Sequence, residues 1–169
     1  MSSNNLFISP ELLNKVQEHS NPLLNVPSDA KPGRGDSYRW AEVLTISAVS
    51  IGSADKGRTE VLVRFRVSMA SPNVSNRGKS TRLRCLLNTA AAEGTGDHTM
   101  TIISLSNLRA LVAAVAGEEA ISEGLDLGMF FSDGSPLLNQ DVITTVTDKP
   151  DRDDPSIRRQ ELGRFTSAI

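Results

Sequence analysis

The residues with the greatest capacity for chemistry are arginines set at strand spacing. Between Glu60 and Leu87, the apolar residues Val61, Val63, Phe65 and Val67 recur at every second position with Arg64 and Arg66 between them. After a polar, Gly-containing connection from Ser71 to Ser80 the pattern returns, with Leu83, Cys85 and Leu87 against Arg82, Arg84 and Leu86. A period of two sends successive side chains to opposite faces of a strand, so the apolar set faces a core and the guanidiniums face water. If the two strands pair antiparallel, Arg64, Arg66, Arg82 and Arg84 share one surface. Like charges opposite one another in a sheet destabilise it by tenths of a kcal/mol up to about 1 kcal/mol per pair, and an anionic ligand offsets that repulsion. The competing reading is a solubilising face, or arginines paired with the chain's own carboxylates.

Charge distribution favours the ligand. The 169 residues carry a net charge of -2, but Lys31 to Arg84 holds eleven Lys/Arg against four Asp/Glu, whereas Cys85 to Ile169 holds six against thirteen. A basic segment inside an acidic chain points to a nucleic-acid or acidic-membrane partner, or to halves that attract one another in the fold. Most of the bases are arginine, which suits phosphate forks and stacking on bases better than lysine does. The candidate cations are Arg39, Lys56, Arg58, Arg64, Arg66, Lys79, Arg82 and Arg84, joined by Arg77 in the loop Asn73 to Thr81, which reads either as a flap that closes over a bound strand or as a disordered tip. Tyr38 and Trp40 are the candidate rings, since single-strand binding combines a cationic groove with stacking worth about 1 to 3 kcal/mol per base. A lone Trp is also a usual core residue, so Trp40 has two readings.

Catalytic and metal chemistry find no support. Gly78-Lys79-Ser80-Thr81 resembles the end of a phosphate-binding loop, but position 73 is Asn where the first glycine belongs, and a strand pattern follows where a helix is required. His19 and His98 share no ligand spacing with the lone Cys85, which occupies an inward position and forms no intramolecular disulfide. Asp148, Asp151, Asp153 and Asp154 read as a solvated turn, lacking the glycine and terminal glutamate of a calcium loop. No nucleophile, base and orienter can be named; the chain reads as a non-enzyme without cofactor or metal.

The elements that position these residues follow from periodicity. Ser9-Pro10-Glu11 opens a short N-terminal helix to about His19, and Asn21 to Ser37 is a proline- and glycine-rich linker, so residues 1–37 form an arm and 38–169 the domain. Tyr38 to Ile51 is a strand in which either Leu44-Ile46-Ala48 or Val43-Thr45-Val49 is the buried set. It forms a hairpin with the arginine strand through Asp55-Lys56-Gly57. Thr89 to Thr99 is a loop. Ser104 caps a helix carrying Leu105, Leu108, Leu111, Val112 and Val115, which Gly117 stops. Leu125, Leu127, Met129 and Phe131 alternate as a fourth strand, Val142 to Thr147 forms another, and Ile157 to Phe165 pairs with it. Mainly β, with one helix between strands 3 and 4, is the order of an OB-like Greek-key β-barrel, which binds oligonucleotides across strands 2 and 3. No stretch approaches the roughly 20 apolar residues of a membrane span, and no signal-peptide layout opens the chain.

The Gly35-Asp36-Ser37-Tyr38 lead-in, the hairpin Val43 to Val67, the helix Leu108 to Val115 closed by Ala116-Gly117, Leu127-Gly128 opening a strand and the late Arg164-Phe165 form a layout spanning Tyr38 to Phe165. It resembles small phage-type single-stranded DNA-binding proteins with an OB-fold that serve replication and recombination. The tail Gly163 to Ile169 departs from that pattern, lacking the run of acids with which many such proteins recruit partners, and aromatic residues make up only 4% of the chain. The expectation is a cytoplasmic, homo-oligomeric, non-catalytic protein that binds single-stranded DNA, with RNA not distinguished, and that takes a protein partner through its N-terminal helix. The alternative is a viral structural or inhibitory module that grips a partner protein with the same barrel.

Overall fold

Alternation of apolar and polar residues from Tyr38 onward produces the longest strand, on which the rest of the sheet is built. The structure, a computed structural model, describes residues 7–10, 23–54, 57–88 and 99–169. In chain order these form β1 (Lys31–Pro32), β2 (Tyr38–Ser53), β3 (Thr59–Val67), β4 (Ser80–Leu87), α1 (Thr99–Ala116), α2 (Leu127–Phe131), β5 (Asp141–Pro150) and β6 (Arg158–Ser167), with 3-10 turns at Val74–Asn76 and Glu118–Ile121. The protein is mainly β. Its antiparallel six-stranded sheet runs in the order β4-β3-β2-β5-β6, with β1 paired to the start of β2. The sheet is open, with β4 and β6 at its edges. Most of the expected N-terminal helix, together with His19, Lys56 and His98, lies outside the described residues.

A bulge lets β2 serve both halves of the sheet. Trp40, Glu42, Leu44 and Ile46 point inward. Ser47 then falls between the Ile46–Phe65 and Ala48–Arg64 pairs as an extra residue. Such an insertion shifts the alternation by one, so Val49 and Ile51 pack on the core in the second half. Each of the two inward sets read from the sequence therefore holds for part of the strand.

The sheet curls around its apolar face. Phe65 on β3 and Phe165 on β6 are separated by β2 and β5 within the sheet, yet their rings stack with centroids 5.8 Å apart. α1 packs against both edge strands, β4 and β6, and buries Leu108, Leu111 and Val112. A helix over sheet edges shields backbone groups that would otherwise pair with another chain. α1 begins before the expected cap at Ser104 and is tied to β4 by the Asn88 N–H, which donates to Thr101 Oγ1 at 2.9 Å. Gly117 stops it with φ 88°, its N–H donating to the Ala113 carbonyl at 3.0 Å. No helix among the described residues is long and apolar enough to cross a membrane.

Two expectations are corrected. The segment Leu125 to Phe131 is not a strand: Leu127–Phe131 is α2, capped by Asp126, whose carboxylate accepts the Met129 N–H at 3.1 Å. The adjacent Phe130 and Phe131 are both buried while Met129 is exposed, a distribution that strict alternation cannot produce. Asp148 is not in the acidic turn but inward on β5, 3% exposed. There it accepts hydrogen bonds from Arg158, at 2.7 Å from Nε, and from Gln160 at 2.8 Å.

The linker is partly built into the core. Leu24 is 3% exposed, and its backbone is clamped by Gln160, which accepts its N–H at 2.9 Å and donates to its carbonyl at 2.8 Å. Asn76 does the same for Asn25, at 2.7 and 2.8 Å. Cys85 is also core, and burial pushes its thiol up to about 11.

Leu24→Ala is expected to destabilise the protein by about 2 to 5 kcal/mol in urea unfolding, whereas truncation within a loose linker would cost nothing measurable. Above the ordinary thiol value of 9.0 the unfolded chain releases the Cys85 proton while the folded chain holds it until about 11. Across that window, stability of the wild type should therefore fall with rising pH more steeply than that of Cys85→Ala.

Candidate functional site

Antiparallel pairing of β3 and β4 sets Arg64 directly opposite Arg82, with Arg66 opposite Ser80 and Arg84 opposite Leu62. Because Val63, Phe65, Leu83 and Cys85 fill the core, all four arginines lie on the outer face. They are not equivalent. Arg84 is held by Glu60, whose Oε2 accepts from Nε at 2.8 Å and lies 2.7 Å from Nη2. Glu60 shares the outward alternation with Leu62, Arg64 and Arg66, so this neutralisation needed the cross-strand register to be seen. Arg64 and Arg66 are exposed and have no ion pair among the described residues. Arg82 is half-buried.

The remaining sequence candidates separate. Arg58 is half-buried at the β2–β3 turn, where its carbonyl accepts the Ala54 N–H at 2.8 Å. Arg77 is exposed, but its Nε donates to the Ser71 carbonyl at 2.8 Å and so braces the β3–β4 connection; Lys79 is half-buried at the end of that connection. Tyr38 is half-buried. Trp40 is 7% exposed with its indole N–H donating to Glu42 at 3.1 Å, so its core reading is the one realised. Arg39 is exposed on the outer side of β2, away from the β3–β4 arginines along the strand.

The connection between β3 and β4 is built on a buried carboxylate that the charge pattern did not single out. Glu42 is fully buried. It accepts from the Ser71 hydroxyl, from Trp40 Nε1, from Asn73 Nδ2 at 3.0 Å and from Asn76 Nδ2 at 3.3 Å. All four donors are neutral. A buried charge persists only where hydrogen bonds replace its water, and here they come mainly from the segment that the sequence left as either a closing loop or a loose tip. That segment is an anchored turn. The one available signal was a glutamate at an inward position between Trp40 and Leu44.

A second basic group surrounds Arg39. It lines a cleft of about 490 Å³ with Lys31, Arg164, Trp40, Pro72 and Asn73. Neither Lys31 nor Arg164 was a sequence candidate, because β1 is only two residues long and Arg164 lies more than a hundred residues from Arg39. Among the described residues no cluster of three or more His, Cys, Asp or Glu side chains is arranged to hold a metal ion. No protein-family model matches this sequence, and no curated protein matches it significantly.

Glu42→Ala leaves four buried or half-buried donors unpaired at roughly 1 to 3 kcal/mol each, so a loss of about 4 kcal/mol or more is expected, with faster amide hydrogen exchange concentrated in residues 68–79. Uniform exchange across the sheet would show that Glu42 does not anchor this turn.

Proposed function

We propose that this protein is a non-catalytic single-stranded DNA-binding protein, acting in replication or recombination through the outer face of β3 and β4. The observation that carries the reading is the direct opposition of Arg64 and Arg82, with Arg66 beside them. Arg64 and Arg66 are exposed beside Arg82, and the protein supplies neither of them with an ion-pair partner among the described residues. A phosphate chain supplies the counter-charge that Arg64 and Arg66 lack and matches the planar donors of guanidinium.

The architecture is read as an OB-like Greek-key barrel. This rests on the strand order, on the ring contact between Phe65 and Phe165 across the curled sheet, and on the helix laid against both edge strands. In such a barrel the second and third long strands carry the oligonucleotide, and these are the arginine strands. With Trp40 in the core, stacking contributes little and backbone phosphates dominate. Binding is then insensitive to base sequence and strongly dependent on salt.

Fluorescence anisotropy with oligo(dT) across a salt series tests the reading. Each neutralised phosphate contributes roughly -0.7 to the log-log salt slope on single strands, and Arg64→Ala should reduce the slope by about that amount. Arg64→Glu should abolish binding at physiological salt while leaving the melting temperature nearly unchanged, because Arg64 is exposed on the outer face and has no ion pair among the described residues to lose. Flat anisotropy with the wild type at low salt would overturn the proposal and direct attention to an acidic protein partner.

A further inference from the structure

Three strands bring cations to one cleft, one of them from more than a hundred residues away in sequence. Lys31 on β1 is the direct ladder partner of Arg39 on β2, and β6 contributes Arg164 to the same cavity of about 490 Å³. Five bases elsewhere are neutralised by the protein's own carboxylates: Arg84 on Glu60, Arg109 on Glu118, Lys149 on Glu161, Arg158 on Asp36 and Asp148, and Arg159 on Asp151. Lys31, Arg39 and Arg164 have no ion pair or side-chain hydrogen bond among the described residues, although Asp29 also borders the cleft.

Arg164 is held there against its backbone preference. Its φ of 56° lies in the left-handed region, which a bulky L side chain disfavours. The preceding residue, Gly163, would adopt that conformation without steric cost but is not the residue that does. The β5–β6 ladder passes from the Ile143–Thr166 pair to the Thr145–Gly163 pair, so Arg164 and Phe165 together oppose Thr144. This bulge returns Phe165 to its stack on Phe65 and brings Arg164 to the cleft. Strain retained at a cavity wall is a mark of a functional constraint, and bulges commonly re-aim a side chain beside a site.

We propose that this cleft binds a nucleoside phosphate, its phosphate held by Lys31, Arg39 and Arg164 and its base lying against the wall formed by Trp40, Ala41 and Pro72. The volume falls within the range of about 300 to 1,000 Å³ usual for small-molecule sites, and the wall joins apolar surface to three cations. Such a ligand is either a free nucleotide or the phosphorylated end of a strand. Neither Arg64 nor Arg82 lines the cleft, so the site stands apart from strand binding by β3 and β4.

The chain has one tryptophan, and it lines the cleft, so the single indole N–H signal of the 15N-labelled protein reports occupancy. Titration with thymidine 5′-monophosphate should shift that signal saturably, at least about tenfold more tightly than inorganic phosphate. Arg164→Gly should weaken binding by at least about tenfold while leaving the melting temperature unchanged or higher, because glycine accepts the left-handed conformation freely. Lys31→Ala, in an exposed two-residue strand, should also weaken binding without loss of fold. Oligo(dT) carrying a 5′-phosphate binding more tightly than its 5′-hydroxyl counterpart assigns the site to strand ends; equal binding assigns it to free nucleotide. The proposal is overturned if the monophosphate binds no more tightly than inorganic phosphate, if both variants bind like the wild type, or if Arg164→Gly unfolds the protein and Lys31→Ala binds normally. Failure of oligo(dT) to bind the β3–β4 face would leave these outcomes unaffected.

Discussion

The carboxylate of Glu42 is the point on which the outer surfaces of this protein depend. It occupies an inward position of β2, where alternation requires a side chain to leave water, and it gathers four neutral donors around itself. Through Ser71, Asn73 and Asn76 it fixes the connection between β3 and β4. Asn76 in turn clamps the backbone of Asn25, next to the buried Leu24. One buried group thus couples the first long strand, the arginine hairpin and the segment leading to β1. Pro72 and Asn73 from that connection also form part of the cleft wall, so the geometry of both basic regions rests on it.

Around this anchor the charged side chains fall into distinct settings. Where Arg158 meets Asp148 at the end of the core, a partly buried pair is completed by Gln160 and tied to Asp36, and removing one partner from such a set is costly because the other stays desolvated. The exposed pairs, such as Arg109 with Glu118, contribute little stability. Arg64 and Arg66 on one surface, and Lys31, Arg39 and Arg164 around the cleft, are among the bases without an ion pair among the described residues, as are Arg34, Lys79 and Arg152.

Period-two patterns located the long strands to within a few residues, and Gly117 marked the end of α1. The segment from Leu125 to Phe131 was misread because its apolar residues fit either a strand or a short helix, and the Asp126 cap that decides between them is a single side chain. Of the arginine face, all four outward positions were legible, since alternation alone decides which way a strand residue points. The pairing of Arg84 with Glu60 was not, because it depends on register between two strands. Trp40 was legible only as a choice between two roles, resolved by its hydrogen bond to Glu42.

The amino-acid order by itself determined which faces of β3 and β4 are apolar, where the β2–β3 turn falls and that the bases cluster in the middle of the chain, because these are properties of neighbours along the backbone. Tertiary structure alone decided that Lys31, Arg39 and Arg164 meet, that Asp148 and Glu42 are buried, and that the linker contributes Leu24 to the core. Each of these requires residues tens to more than a hundred positions apart to come within contact distance. The bulges at Ser47 and Arg164 explain why: one extra residue in a ladder reverses every facing beyond it, and nothing local in the sequence announces where that residue will be inserted.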